Sequence, residues 1–150
     1  MALLTGIKAP NFTLPSTNRP EFTLYKEEGP IILYFYPKDF TPGCTKEACS
    51  FRDSFEDFKQ LDVKVIGISR DSIERHRSFK KKHNLPFELL ADTDGEICAL
   101  YDALVPIIKI PKRVTYLLDK DFNIIDVHDQ LFGYAAHVER MKTKLSQLKK

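Results

Sequence analysis

Residues 30–53 read "PIILYFYPKDFTPGCTKEACSFRD", and the two halves of this stretch ask for different structures. The first half is a continuous apolar run bounded by Pro30 and Pro37, the pattern of a strand covered on both faces. A helix is expected next. Thr41 suits the N-cap and Pro42 the first helical position, and Phe51, Phe55, Phe58 and Leu61 continue an apolar stripe at spacings of three and four. A buried strand that feeds straight into a helix opens a layered α/β fold. It also puts Cys44 in the first helical turn.

Upstream, "NFTLPSTNRPEFTLY" (residues 11–25) alternates apolar and polar residues around a turn, which predicts an N-terminal hairpin outside the main sheet. Downstream, "VKVIGIS" and "FELLAD" read as strands, and "DSIERHRSFKKKHN" and "DGEICALYDAL" as helices. The "VPIIKIPK" loop follows. "RVTYLLD" and "IIDVHD" then flank the "KDFN" turn as an antiparallel hairpin, and "AAHVERMKTKLSQLKK" closes the chain as an amphipathic helix. No repeat, low-complexity tract or Gly/Ser linker divides the sequence, so residues 1–150 are expected to form a single α/β domain.

With 43% hydrophobic residues the chain can build one core, and its formal charge of +2 gives no general case for nucleic acid or an anionic membrane. The start lacks a signal-peptide pattern and no apolar run approaches the ~20 residues of a membrane span, so a soluble cytoplasmic protein is expected. Three cysteines in a reducing compartment make a poor disulfide scaffold. Transient redox chemistry or metal binding fits a close pair better.

A thiol reacts as its thiolate, and a helix N-terminus stabilises that anion through unpaired N–H groups and the macrodipole. Cys44 is placed for this, with Thr41 able to turn its hydroxyl toward the helix start and Gly43 permitting close approach of a small substrate. Five residues of helix separate Cys44 from Cys49 by a rise of about 7.5 Å and a rotation of about 140°. The sulfurs should not meet without local unwinding, which disfavours a permanent staple and fits a second thiol that engages only after the first is oxidised. Zinc would need four ligands, and no second Cys/His pair accompanies this one. A purely structural pair of small apolar residues stays open on spacing alone.

The stretch "YPKDFTPGCTKEACSFRD" resembles the active-site signature of the peroxiredoxins, in particular the bacterioferritin comigratory protein or peroxiredoxin Q subfamily. Pro37, Thr41 and Cys44 meet the family's Pro, three residues, Thr, two residues, Cys pattern, and Cys49 stands where the subfamily keeps its second cysteine. The likeness runs from "GIKAPNFTL" through "RVTYLLD" and is weaker over "QLFGYAAHV", where the substrate rim and any oligomer contact would lie. It implies a thioredoxin fold, a central mixed sheet flanked by helices, with an N-terminal β-hairpin extension.

The same resemblance implies that Cys44 is the peroxidatic cysteine and Cys49 the resolving one. Thr41 then binds the peroxide and Pro37 shields the thiolate. Arg113 completes the pocket and Glu47 orients an arginine. Tyr36 is expected as the apolar wall of the pocket. Lys112 stands next to Arg113, but strand alternation sends the two to opposite faces. A nearby guanidinium favours a thiolate and donates to the oxygens of a breaking O–O bond.

The activity so implied is reduction of hydrogen peroxide and organic hydroperoxides through a Cys44–Cys49 disulfide, recycled by thioredoxin, in a monomer. No motif requires a metal, haem or flavin cofactor. A thioredoxin-like disulfide reductase would need cysteines two residues apart, a spacing absent here. A non-enzymatic redox sensor or nucleic-acid-associated chaperone would use the basic run "RHRSFKKKH", yet this run lacks aromatics for base stacking and reads as the exposed arc of a helix whose Phe79 faces the core. Cys98 is expected in the core, and His76, His83, His128 and His137 as surface or capping residues.

Overall fold

The computed structural model describes residues 2–129 and 134–148. Two short strands, β1 (Thr13–Leu14) and β2 (Phe22–Thr23), pair antiparallel as the expected hairpin, separate from the main sheet. That sheet has five strands: β3 (Ile31–Phe35), β4 (Lys64–Ser69), β5 (Glu88–Ala91), β6 (Val114–Leu118) and β7 (Ile124–Asp129). Their order is β5-β4-β3-β6-β7, with β4 parallel to both β3 and β5, and with β6 antiparallel to both β3 and β7. Among the described residues five α-helices accompany them: α1 (Pro42–Asp53), α2 (Phe55–Gln60), α3 (Ile73–His83), α4 (Glu96–Leu100) and α5 (Tyr134–Leu148).

Central β3 is buried along its whole length, and its alternation divides the core in two. Ile31, Leu33 and Phe35 face one apolar cluster, with the hairpin residues Phe12 and Phe22 and with Cys98 and Tyr101 from the α4 region. Ile32, Tyr34 and Tyr36 face the other, with Cys44, Ala48 and Phe51 of α1, Phe79 of α3, and Val138, Met141 and Leu145 of α5. The reactive-cysteine candidate is thus on the face covered by α1, α3 and α5. Cys98 is fully buried, and burial pushes its thiol well above the usual range.

The apolar stripe from Phe51 to Leu61 does not run on one helix. The chain breaks at Ser54, whose φ/ψ of −97°/5° ends α1, and α2 restarts at Phe55. This lets Phe51 and Phe58 both reach full burial with their rings 6.0 Å apart. The histidines are a second departure. His76 and His137 are fully buried, each inside a polar cluster. The segment 130–133, within the expected substrate rim, lies outside the described residues.

Gly67 of β4 explains how Tyr34 fits the second core. A Cβ there would lie 2.8 Å from the Tyr34 ring and 2.8 Å from Leu89 Cδ2. The absent side chain leaves room for the Tyr34 ring to stack on Phe51 at 4.6 Å and on Tyr36 at 5.3 Å. Gly67→Ala is therefore expected to destabilise the fold by about 1–3 kcal/mol through overpacking, as measured by urea denaturation.

Candidate active site

α1 begins as the sequence asks, with Thr41 at the N-cap in extended conformation and Pro42 at the first position. The first helical bond runs from Thr45 N–H to Thr41 O at 2.9 Å, so the N–H groups of Gly43 and Cys44 stand outside the helical ladder at its positive end. Thr41 does not cap with its hydroxyl. Oγ1 instead donates to the carbonyl of Lys38 at 2.7 Å, which folds the loop back on itself. Its oxygen lone pairs remain as acceptors.

Cys44 is 1% exposed and its sulfur meets a cation. Arg113, just before β6, donates from Nη2 to Cys44 Sγ at 3.2 Å and from Nη1 to Glu47 Oε1 at 2.6 Å. Cys44 and Glu47 are one turn apart on α1, so a single planar guanidinium grips both. Lys112 is half-buried, and its backbone N–H bonds Ala103. Burial disfavours the charge on Arg113, but Glu47 and Cys44 outweigh it and hold the guanidinium above its usual value.

Glu47 is fully buried, and burial pushes its carboxyl up to about 7 while Arg113 pulls the other way. Its second oxygen faces His137 Nδ1 of α5 at 3.6 Å, and that nitrogen is 2.7 Å from Thr115 Oγ1 of β6. Sequence reasoning missed His137 and Thr115. The i, i+4, i+8 series His137, Met141, Leu145 was the available signal, since the last two are plain core positions.

Cys49 is partly exposed, unbonded to Cys44, and on the same uninterrupted helix. Tyr36 packs in the cluster that holds Cys44, with its hydroxyl turned to Asp39 at 2.5 Å. Pro37 lines an open cleft of about 500 Å³ with Lys38, Ile108 and Pro111. A second cleft, of about 590 Å³ beside β4, contains none of these residues. The basic run is partly engaged in the fold: Arg75 pairs with Asp71 at 3.1 Å, and Lys80 donates to Phe87 O at 2.7 Å.

A helix-start thiol bonded to a buried arginine, on a mixed sheet with this strand order, defines a thiol-redox class of protein. Comparison with known proteins is specific. Residues 5–127 match the model of the AhpC/TSA family. Peroxiredoxin Bcp of Bacillus subtilis is 43% identical over 136 residues, covering 83% of this chain and 84% of that protein. The chloroplastic peroxiredoxin Q of Sedum lineare is 40% identical over 146 residues, covering 96% and 78%. Among solved structures, peroxidoxin BcpB of Mycobacterium tuberculosis superposes with a TM-score of 0.91 at 31% identity, covering 97% of this chain and 98% of that one. This chain belongs to the AhpC/TSA family, and within it to the peroxiredoxins of the Bcp and Q kind. The thioredoxin-type fold with its hairpin extension stands on the same neighbours.

The buried carboxyl generates a pH prediction. Below about pH 4.5 Glu47 is protonated in the folded and unfolded chain alike, whereas between about 4.5 and about 7 only the unfolded chain releases the proton. The folded state binds more protons across that window, so its stability falls as pH rises through it. Glu47→Gln can still accept from Arg113 but does not titrate. Denaturation across this window should show wild type losing on the order of 2 kcal/mol relative to Glu47→Gln as pH rises. A pH-independent difference would assign the Arg113–Glu47 pair as fully ionised throughout.

Proposed function

We propose that this thiol-dependent peroxidase works as one domain through Cys44 as peroxidatic and Cys49 as resolving cysteine, in a cytoplasmic monomer recycled by thioredoxin. The observation that carries the reading is the 3.2 Å bond from buried Arg113 to Cys44 Sγ. The Cys44 thiolate attacks one oxygen of the peroxide and the O–O bond breaks. The departing oxygen leaves as alkoxide or hydroxide and takes a proton, while Cys44 becomes a sulfenic acid.

Three groups converge on the charge that develops. The guanidinium of Arg113 and the outward N–H groups of Gly43 and Cys44 donate to the peroxide oxygens. Thr41 Oγ1, having donated its own hydrogen to Lys38 O, can accept the peroxide O–H and fix its orientation. Pro37 walls the approach with no N–H of its own to compete. Glu47 holds the arginine in plane.

Resolution condenses the sulfenic acid with the Cys49 thiol, forming the Cys44–Cys49 disulfide and releasing water. A dithiol reductant then returns both thiols. With about 7.5 Å of helical rise between the two residues, this step requires α1 to open locally. The peroxiredoxin Q relatives of Sedum lineare and Populus jackii are chloroplastic, whereas the Bcp relative is bacterial. Among the described residues no helix is long and apolar enough to cross a membrane.

The test is peroxide consumption coupled to thioredoxin and its reductase. Cys44→Ser should lose turnover altogether, because a serine hydroxyl is hardly ionised near neutral pH. Cys49→Ser should react once, accumulate a sulfenic acid at Cys44 that a dimedone probe traps, and fail to cycle. Sustained turnover in Cys49→Ser would move the resolving role to another thiol.

A further inference from the structure

Behind the loop that carries Pro37 and Thr41 is a second buried polar cluster, separate from the Arg113 site. Asp39 and His76 are fully buried, and Asp71 nearly so. His76 lies on α3, three residues before core Phe79, with Nδ1 2.6 Å from Asp39 Oδ2 and Nε2 2.9 Å from the carbonyl oxygen of Leu90 on β5. Asp39 Oδ1 accepts from Tyr36 Oη at 2.5 Å, and the Asp39 N–H donates to Asp71 Oδ2 at 2.9 Å. Ser69 Oγ and Arg75 hold Asp71 in turn.

Asp39, Asp71 and His76 offer ligand atoms within 4.8 Å of one another, but protein donors and acceptors already engage all three side chains. A proton suits this cluster better than a metal. A carbonyl oxygen only accepts, so Nε2 of His76 carries a hydrogen toward Leu90. The Asp39–His76 bond then needs a second proton. It resides on Nδ1 facing a carboxylate, or on the Asp39 carboxyl facing a neutral ring.

We propose that this proton-bridged pair makes His76 a positioning residue for the peroxide step: it pins Asp39 and thereby sets the loop that presents Pro37 and Thr41. The inference rests on the peroxidase reading of Cys44. The mechanical link is a single peptide unit. Its N–H belongs to Asp39 and bonds Asp71, and its carbonyl belongs to Lys38 and receives the Thr41 hydroxyl at 2.7 Å. Rotation of that unit would release Asp71 on one side and Thr41 on the other.

The loop's own preferences work against the observed shape. Phe40 sits at φ 66°, a left-handed conformation that an aromatic residue rarely adopts. α3 opposes the strain. Phe79 meets the Phe40 ring edge-on at 5.1 Å, Arg75 covers the same ring at 5.0 Å, and Arg75 Nη2 donates to Asp39 O at 3.2 Å. His76 supplies the fixed point at the centre of these contacts, tying the loop to α3 and β5 together.

The experiment compares two rates at Cys44 in the full chain: oxidation by hydrogen peroxide and alkylation by iodoacetamide. The first needs Thr41 and Pro37 in place, while the second needs only an accessible thiolate. His76→Leu is expected to lower the peroxide rate, relative to the alkylation rate, by about tenfold or more, in line with the cost of displacing a positioned group by about 1 Å. Asp39→Ala cuts the same bond from the loop side and should give the same selective loss if His76→Leu does not fold.

Asp39→Asn should rescue, because its amide can donate to a neutral His76 ring while its carbonyl accepts from Tyr36, which keeps the geometry without the extra proton. A role in stability alone would lower the denaturation midpoint and leave the ratio of rates unchanged, and that result overturns the proposal. A wild-type chain whose Cys44 does not reduce peroxide at all would instead overturn the peroxidase reading beneath it.

Discussion

A single buried guanidinium ties the reactive helix to the sheet. Arg113 enters from the start of β6 and holds Cys44 and Glu47, two residues one turn apart on α1. A buried cation is tolerated only when it is paired and hydrogen-bonded, and here Glu47 Oε1 and Cys44 Sγ each accept from one guanidinium nitrogen. The arrangement couples chemistry to structure. In the proposed cycle, conversion of the Cys44 thiolate to a sulfenic acid takes one partner from Arg113 and the anion from the positive end of α1.

That coupling gives α1 two duties that conflict. As an intact helix it holds Cys44 at its positive end, leaves the N–H groups of Gly43 and Cys44 outside the helical ladder, and buries Ala48 and Phe51 against the sheet. The same helix holds Cys49 on a different face, out of reach of Cys44. Its surroundings suit partial opening: the break at Ser54 separates α1 from α2, so the first turns can unwind without carrying Phe58 out of the core. Upstream, the loop is fastened through Asp39 and Phe40 to α3, which leaves the change confined to the segment between two anchors.

Much of this was legible in the sequence, for identifiable reasons. The proline-bounded run at 30–37 named the central strand and Pro42 after Thr41 fixed the helix start, while the choice of Arg113 over Lys112 came from the family resemblance and not from alternation, which only separates the two. What was not legible involves partners far apart in the chain. His76 reads as a surface residue because it sits in a basic run, yet its three-residue spacing from Phe79 puts it on the buried face, and its partner Asp39 is 37 positions away. The Ser54 break left no Gly or Pro to mark it, and the stripe through Phe55 and Phe58 looked continuous. Thr41's hydroxyl oxygen was expected to accept from an N–H at the helix start, as N-caps usually do, but the side chain instead turns back and donates to the Lys38 carbonyl of the loop.

If Cys44 and Cys49 can join only after the first turns of α1 unwind, amide hydrogen exchange reads that unwinding residue by residue. Residues 45–50 should be protected in the dithiol form and lose that protection in the disulfide form, with β3 and β6 protected equally in both. Equal protection across residues 45–50 in the two forms, alongside a confirmed Cys44–Cys49 bond, would contradict it.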